Sequence, residues 1–222
     1  MKRSKRIALF IDTDDFQKGY FAGREAPKAK ELIKMYAGVT EHVFEALKAY
    51  DLPRGLKGAH LDHVGNYLAV PVYTMEELVA SKLPEAAKTR FMAEQKEVRA
   101  YHRQLDALQG FIVKYVYPYV IISTKSDSEK KGGIDPQNKG VIDPQKKGVD
   151  AELICQALIG AMSNDYDIMC LLSDNAEYVP LVERIHDFFN KQVIQVGFED
   201  DERGVSRLQA ASYGWINLKR WT

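Results

Sequence analysis

Cysteine is scarce, net charge is nil and long apolar runs are missing, and each lack removes a class of protein. The two cysteines, Cys155 and Cys170, stand among apolar neighbours with no CxxC or Cys/His spacing. That argues against a zinc site and against a disulfide framework, and leaves buried free thiols as the expectation. Lys+Arg and Asp+Glu number 31 each, so no global field draws the chain to a polyanion, and any such affinity must come from a local patch. The apolar run at Ile7 to Ile11 is too short for the hydrophobic region of a signal peptide, and no run is long enough to cross a bilayer. A cytoplasmic protein without a membrane partner is the expectation.

What is present is ample for a core. The chain has 222 residues, 45% of them hydrophobic. It reads as a single domain over 1–222, with a helical insertion at about 75–109 and a basic loop at about 123–149. Pattern and punctuation predict a strand over 6–11, a loop, and then a helix over 27–50 closed by Pro53 and Gly55. Residues 67–73 are the best strand candidate of the next stretch, and Pro71 suggests a sheet edge. A helical pattern over 75–108 breaks near Pro84, and the β-rich run 111–122 reads as one bent strand or two short ones. From Asp150 onward the pattern is a helix over 150–163, a strand over 168–172, a helix over 176–190, a strand over 192–197 and a short terminal helix near Trp215 and Trp221. Helices alternating with buried β-type runs imply a three-layer α/β/α arrangement on a mainly parallel sheet.

Two local basic patches qualify the neutral total. Lys2, Arg3, Lys5 and Arg6 lead into the first strand, and Lys125, Lys130, Lys131, Lys139, Lys146 and Lys147 crowd the stretch before Asp150. That stretch holds a tandem copy, Ile134-Asp135-Pro136-Gln137-Asn138-Lys139-Gly140-Val141 followed by Ile142-Asp143-Pro144-Gln145-Lys146-Lys147-Gly148-Val149. Two short copies bury no core between them, so this is a lengthened loop. Such lengthening costs only about 0.6 kcal/mol per doubling. The loop is either a neutral duplication or a basic flap over a site.

The residues that carry chemistry are acids placed at strand and helix ends. Asp12, Asp14 and Asp15 follow the first strand, Asp150 opens a helix, Asp174, Asn175 and Glu177 follow the strand over 168–172, and Glu199-Asp200-Asp201-Glu202 follows the next. In an open α/β sheet ligands bind beyond the carboxyl ends of the strands, where such acids converge, and converging carboxylates imply a divalent cation. Taken singly, Asp150, Asp174 and Asn175 are better explained as helix caps, and it is their joint appearance at strand and helix ends that points to a site. His60 and His63 flank Asp62 without a third ligand, which suits a surface turn better than a metal site.

Taken in order, Phe10-Ile11-Asp12-Thr13-Asp14-Asp15-Phe16, Lys147-Gly148-Val149-Asp150, Leu171-Leu172-Ser173-Asp174-Asn175-Ala176-Glu177-Tyr178-Val179-Pro180-Leu181-Val182 and Val193-Ile194-Gln195-Val196-Gly197 resemble the NYN family of PIN-like ribonucleases. The likeness covers the first strand and most of residues 146–198. It implies a PIN-like fold and a Mg²⁺- or Mn²⁺-dependent hydrolase of RNA. It makes Asp12 and Asp150 metal carboxylates, with Asn175 and Glu177 completing the ligand set. Asp12, Asp150, Glu177 and Asp174 become the catalytic group, Asp14 and Asp15 its support, and Lys125, Lys139, Lys146 and Lys147 the RNA contacts. Tyr20, Phe21 or Tyr178 would stack a base. Where the family's third motif reads Ser-Gly-Asp-Ser-Asp-Phe, this chain has Asp174 at the glycine, Asn175 at an aspartate and Glu177 at the second aspartate. One anionic ligand is thereby lost. Two alternatives stand beside this: an attenuated module that binds RNA or protein, and, ranked below it, a haloacid dehalogenase-like phosphatase using Asp12-Thr13-Asp14. A symmetric dimer is compatible with either.

Overall fold

A computed structural model describes residues 4–20, 29–56, 59–71, 85–108, 110–116, 122–124, 142–144, 148–198 and 205–218. Its strands are β1 (Lys5–Ile11), β2 (Leu61–Pro71), β3 (Phe111–Val116), β4 (Ile122–Thr124), β5 (Ile142–Pro144), β6 (Ile168–Leu172), β7 (Gln192–Gly197) and β8 (Gly214–Asn217). Its helices are α1 (Thr13–Tyr20), α2 (Ala29–Tyr50), α3 (Glu85–Asp106), α4 (Val149–Met162), α5 (Val179–Phe189) and α6 (Arg207–Ala211), with a 3₁₀ turn at Ala176–Tyr178 ahead of α5.

Six strands form one parallel sheet in the order β3-β2-β1-β6-β7-β8. β1 and β6 lie at its centre, which is why Ile7 to Ile11 and Ile168 to Leu172 are buried without alternation. Strands covered on both faces need apolar residues on both. Ile7, Leu9 and Ile11 meet α2 through Met35, Tyr36, Val39 and Val43, while Ala8 and Phe10 meet α4 and α5 through Leu153, Ala157, Val182 and Ile185. The result is a three-layer α/β/α sandwich on a parallel sheet.

Several local expectations are corrected. Residues 13–20, expected as loop, form α1, because Asp12 Oδ1 accepts the Asp15 N–H at 3.2 Å and starts the helix at once; residues 21–28 lie outside the described residues. β2 is an interior strand, paired with β1 and β3, and Pro71 is its last residue, where a missing N–H is tolerated. The run over 111–122 is divided between β3 in the main sheet and β4, which pairs antiparallel with β5 at the second repeat copy. The short terminal helix is α6, and Trp215 lies beyond it on β8, the sixth strand of the main sheet. Cys170 is buried as expected, but Cys155 is exposed on α4. His60 and His63 are not in a surface turn: His60 directly precedes β2 and pairs with Asp62, and His63 lies on β2 and meets Asn66 at 3.1 Å. Among the described residues no helix is long and apolar enough to cross a membrane.

Candidate active site

The chain runs outward from β1 to β3 and returns to β6 on the other side of β1, so the sheet order reverses between β1 and β6. At such a switch point the loops leaving the two strands diverge and open a crevice at their carboxyl ends. Ile11 is in register with Leu172, and the Asp12 N–H bonds the Leu172 carbonyl at 3.1 Å. The residues that follow the two strands, Asp12 and Ser173, are therefore set side by side at the crevice.

Asp12 is 6% exposed and held on both oxygens. Oδ1 takes the Asp15 N–H, and Oδ2 takes the Ser173 hydroxyl at 3.5 Å and the Tyr178 phenol at 3.2 Å. The same phenol lies 3.2 Å from Asp150 Oδ1. Asp12 and Asp150 thus converge on one hydroxyl although 138 positions separate them in the chain. Asp150 does not cap α4. That place belongs to Gly148, whose φ of 108° suits a residue without Cβ, and Asp150 follows within the first turn, where the helix N-terminus favours a carboxylate.

A second acidic pair adjoins the first. Asp15 Oδ2 accepts from the Ser173 hydroxyl at 2.7 Å and from the Asp174 N–H at 3.3 Å. Asp174 turns its own carboxylate towards β7, where Gln195 Nε2 donates to it at 3.1 Å and to the Ser173 carbonyl at 2.9 Å. Space for it is left by Gly197, where a Cβ would collide with Asp174 Oδ1. Burial raises the Asp174 carboxyl above the usual aspartate range and Asp15 adds to the rise, against bonds from the Phe198 N–H and Gln195. Burial likewise raises the Tyr178 phenol, with Asp12 and Asp150 adding to it.

The remaining expected residues divide clearly. Asn175 caps the 3₁₀ turn, its Oδ1 accepting the Glu177 N–H at 2.9 Å, and Glu177 is exposed at the rim. Tyr178 is 1% exposed and so offers no ring face for a base, while Tyr20 packs beside Phe16. Asp14 lies on α1 without a described side chain, and Phe21, Lys125, Lys139, Lys146, Lys147 and the cluster over 199–202 lie outside the described residues. Lys5 and Arg6 start β1, at the opposite end of the sheet from the acids. Ser173, Gln195, Gly197 and the Tyr178 hydroxyl were not anticipated as site groups. A glutamine inside the apolar run of β7 was the one visible signal.

A doubly wound sheet with carboxylates gathered at its switch point marks the place where such a fold binds its ligands. The NYN domain family matches residues 6–218, and the chain belongs to that family of PIN-like nucleases. Among solved structures the chain is similar to a Vibrio parahaemolyticus protein described as of unknown function. That likeness stands at 19% identity and a TM-score of 0.40, over 98% of this chain and 95% of the other. No curated protein matches.

Proposed function

We propose that the chain is a Mg²⁺- or Mn²⁺-dependent ribonuclease that hydrolyses phosphodiester bonds of RNA at the crevice between β1 and β6. The observation that carries this is the convergence of Asp12 and Asp150 on a single hydroxyl at the switch point of a family fold of nucleases. Among the described residues no group of three or more His, Cys, Asp or Glu stands close enough to hold a metal. Two carboxylates nevertheless suit Mg²⁺, which is commonly bound by one or two with water filling the rest of its shell. The donor set fits, with Asp12 and Asp150 as the residues that would hold the ion. Bound there, it supplies Lewis-acid polarisation of a phosphoryl oxygen and acidifies water.

The chain's own residues do the rest. The Asp15 N–H fixes the Asp12 rotamer, and the single Ser173 proton goes to Asp15, which holds that hydroxyl beside Asp12. Glu177, exposed at the rim, would orient an attacking water, and Asp174 keeps the β6 and β7 ends together through Gln195. Lys125, Lys139, Lys146 and Lys147 would neutralise the RNA backbone. The setting is cytoplasmic in this reading, and a homodimer is compatible with it.

A second reading, an attenuated module that binds RNA or protein, is favoured by Asn175, whose carbonyl is engaged as a cap. Cleavage of labelled single-stranded RNA with Mn²⁺, Mg²⁺ or EDTA separates the two. Expected is metal-dependent cutting that falls in Asp12→Asn by more than the roughly 10- to 100-fold that loss of a supporting residue costs at a metal site. RNA binding without cutting in the wild type would favour the module.

A further inference from the structure

We infer that the Tyr178 hydroxyl competes with the metal for Asp12 and Asp150, so that loading the site requires the phenol to release them. This rests on the nuclease reading above. The ring cannot easily leave. It is 1% exposed, packed in the core that α4 and α5 form against the sheet, and carried on a turn whose Tyr178 N–H bonds the Asn175 carbonyl at 3.2 Å. Its hydroxyl is thereby held 3.2 Å from Asp12 Oδ2 and 3.2 Å from Asp150 Oδ1. A phenol has one proton, which faces one carboxylate at a time or is shared between the two. A divalent ion held by the lone pairs that face the phenol would meet the O–H, because a proton directed at those two oxygens lies where the cation's charge would be. In that arrangement the O–H must turn away, or one carboxylate must rotate, before both can ligate. Phenylalanine at this position keeps the ring and removes the competitor.

The test follows Mn²⁺ binding by the loss of the free-ion electron paramagnetic resonance signal. It compares the full chain, Tyr178→Phe, Asp12→Asn and the double variant. Tyr178→Phe is expected to bind Mn²⁺ roughly tenfold more tightly, as expected when a hydrogen bond to a charged group no longer has to be broken. Asp12→Asn is expected to abolish binding in both backgrounds. Equal or weaker binding by Tyr178→Phe overturns the competition and leaves the metal reading standing. No Asp12-dependent binding by either protein brings down both. An independent readout uses the wild-type chain labelled with 3-fluorotyrosine and titrated with Mg²⁺. One fluorine resonance is expected to move, and not to move in Asp12→Asn; unmoved resonances overturn the inference.

Discussion

Asp174 shows what a single side chain at this site costs and contributes. Its carboxyl is raised by burial and then by Asp15, so it holds its proton more strongly in the folded chain than in the unfolded one. The sign of the linkage follows: the stabilising contribution is full below the unfolded value and is lost as pH rises through the raised folded value. Asp174→Asn keeps the shape but carries no charge at any pH. Wild type is therefore expected to lose stability relative to Asp174→Asn as pH rises above the ordinary aspartate value of 3.8, read from urea midpoints. Parallel curves would show that the carboxyl is not perturbed. The acids themselves were legible because a carboxylate directly after a buried strand, or just inside a helix, announces its place. The Tyr178 hydroxyl was not, since its partners lie 166 and 28 residues away and only the packing of its ring brings them within reach.

At the scale of elements, the start of α4 matters most, because it alone delivers Asp150. Gly148 takes φ 108° and ψ −21°, and its carbonyl accepts the Glu152 N–H at 3.0 Å. A side chain there is strained whatever room it finds, and alanine is expected to cost about 1–2 kcal/mol of stability. The same variant is expected to lower Mn²⁺ affinity, since the helix would begin elsewhere and Asp150 would leave the Tyr178 hydroxyl. Thermal melts and Mn²⁺ titration check the two effects separately. This helix was readable from its all-round apolar pattern, and so were β1, β6 and β7. β8 was hidden: four residues, Gly214 to Asn217, give too short a period to distinguish from a turn, and its pairing with β7 supplies the reason to be extended. α1 was hidden for the opposite reason. Its eight residues are mostly polar, and its start depends on the Asp12 cap rather than on an apolar stripe.

For the whole molecule, the sheet separates chemistry from anchorage by placing them at opposite ends of the same two central strands. Strand patterns could state that β1, β6 and β7 are buried, but not that β1 lies between β2 and β6; order comes from which helices cover which face. That order puts Asp12 and Ser173 at one end and Arg6 and Asp167 at the other, where Ile7 is in register with Ile168. There Asp167 Oδ2 accepts the Arg6 N–H at 3.0 Å, and Oδ1 pairs with the guanidinium at 3.2 Å. Burial opposes ionisation of Asp167, but the Arg6 side chain and backbone N–H outweigh it and hold the carboxyl below its usual value. A depressed carboxyl stabilises the fold above its unfolded pKa, and that contribution is lost as pH falls through the folded value. Asp167→Asn is thus expected to be less stable at neutral pH by about 1 kcal/mol, the pair being partly exposed. The deficit should shrink on acidification, where wild type loses the same contribution. Because this anchor lies at the far end of the strands, Mn²⁺ affinity and RNA cleavage per folded molecule should be unchanged. Urea denaturation across the acid range, run beside the Mn²⁺ titration, checks both halves; a weakened metal site in Asp167→Asn would mean that the two ends of the sheet are coupled rather than separate.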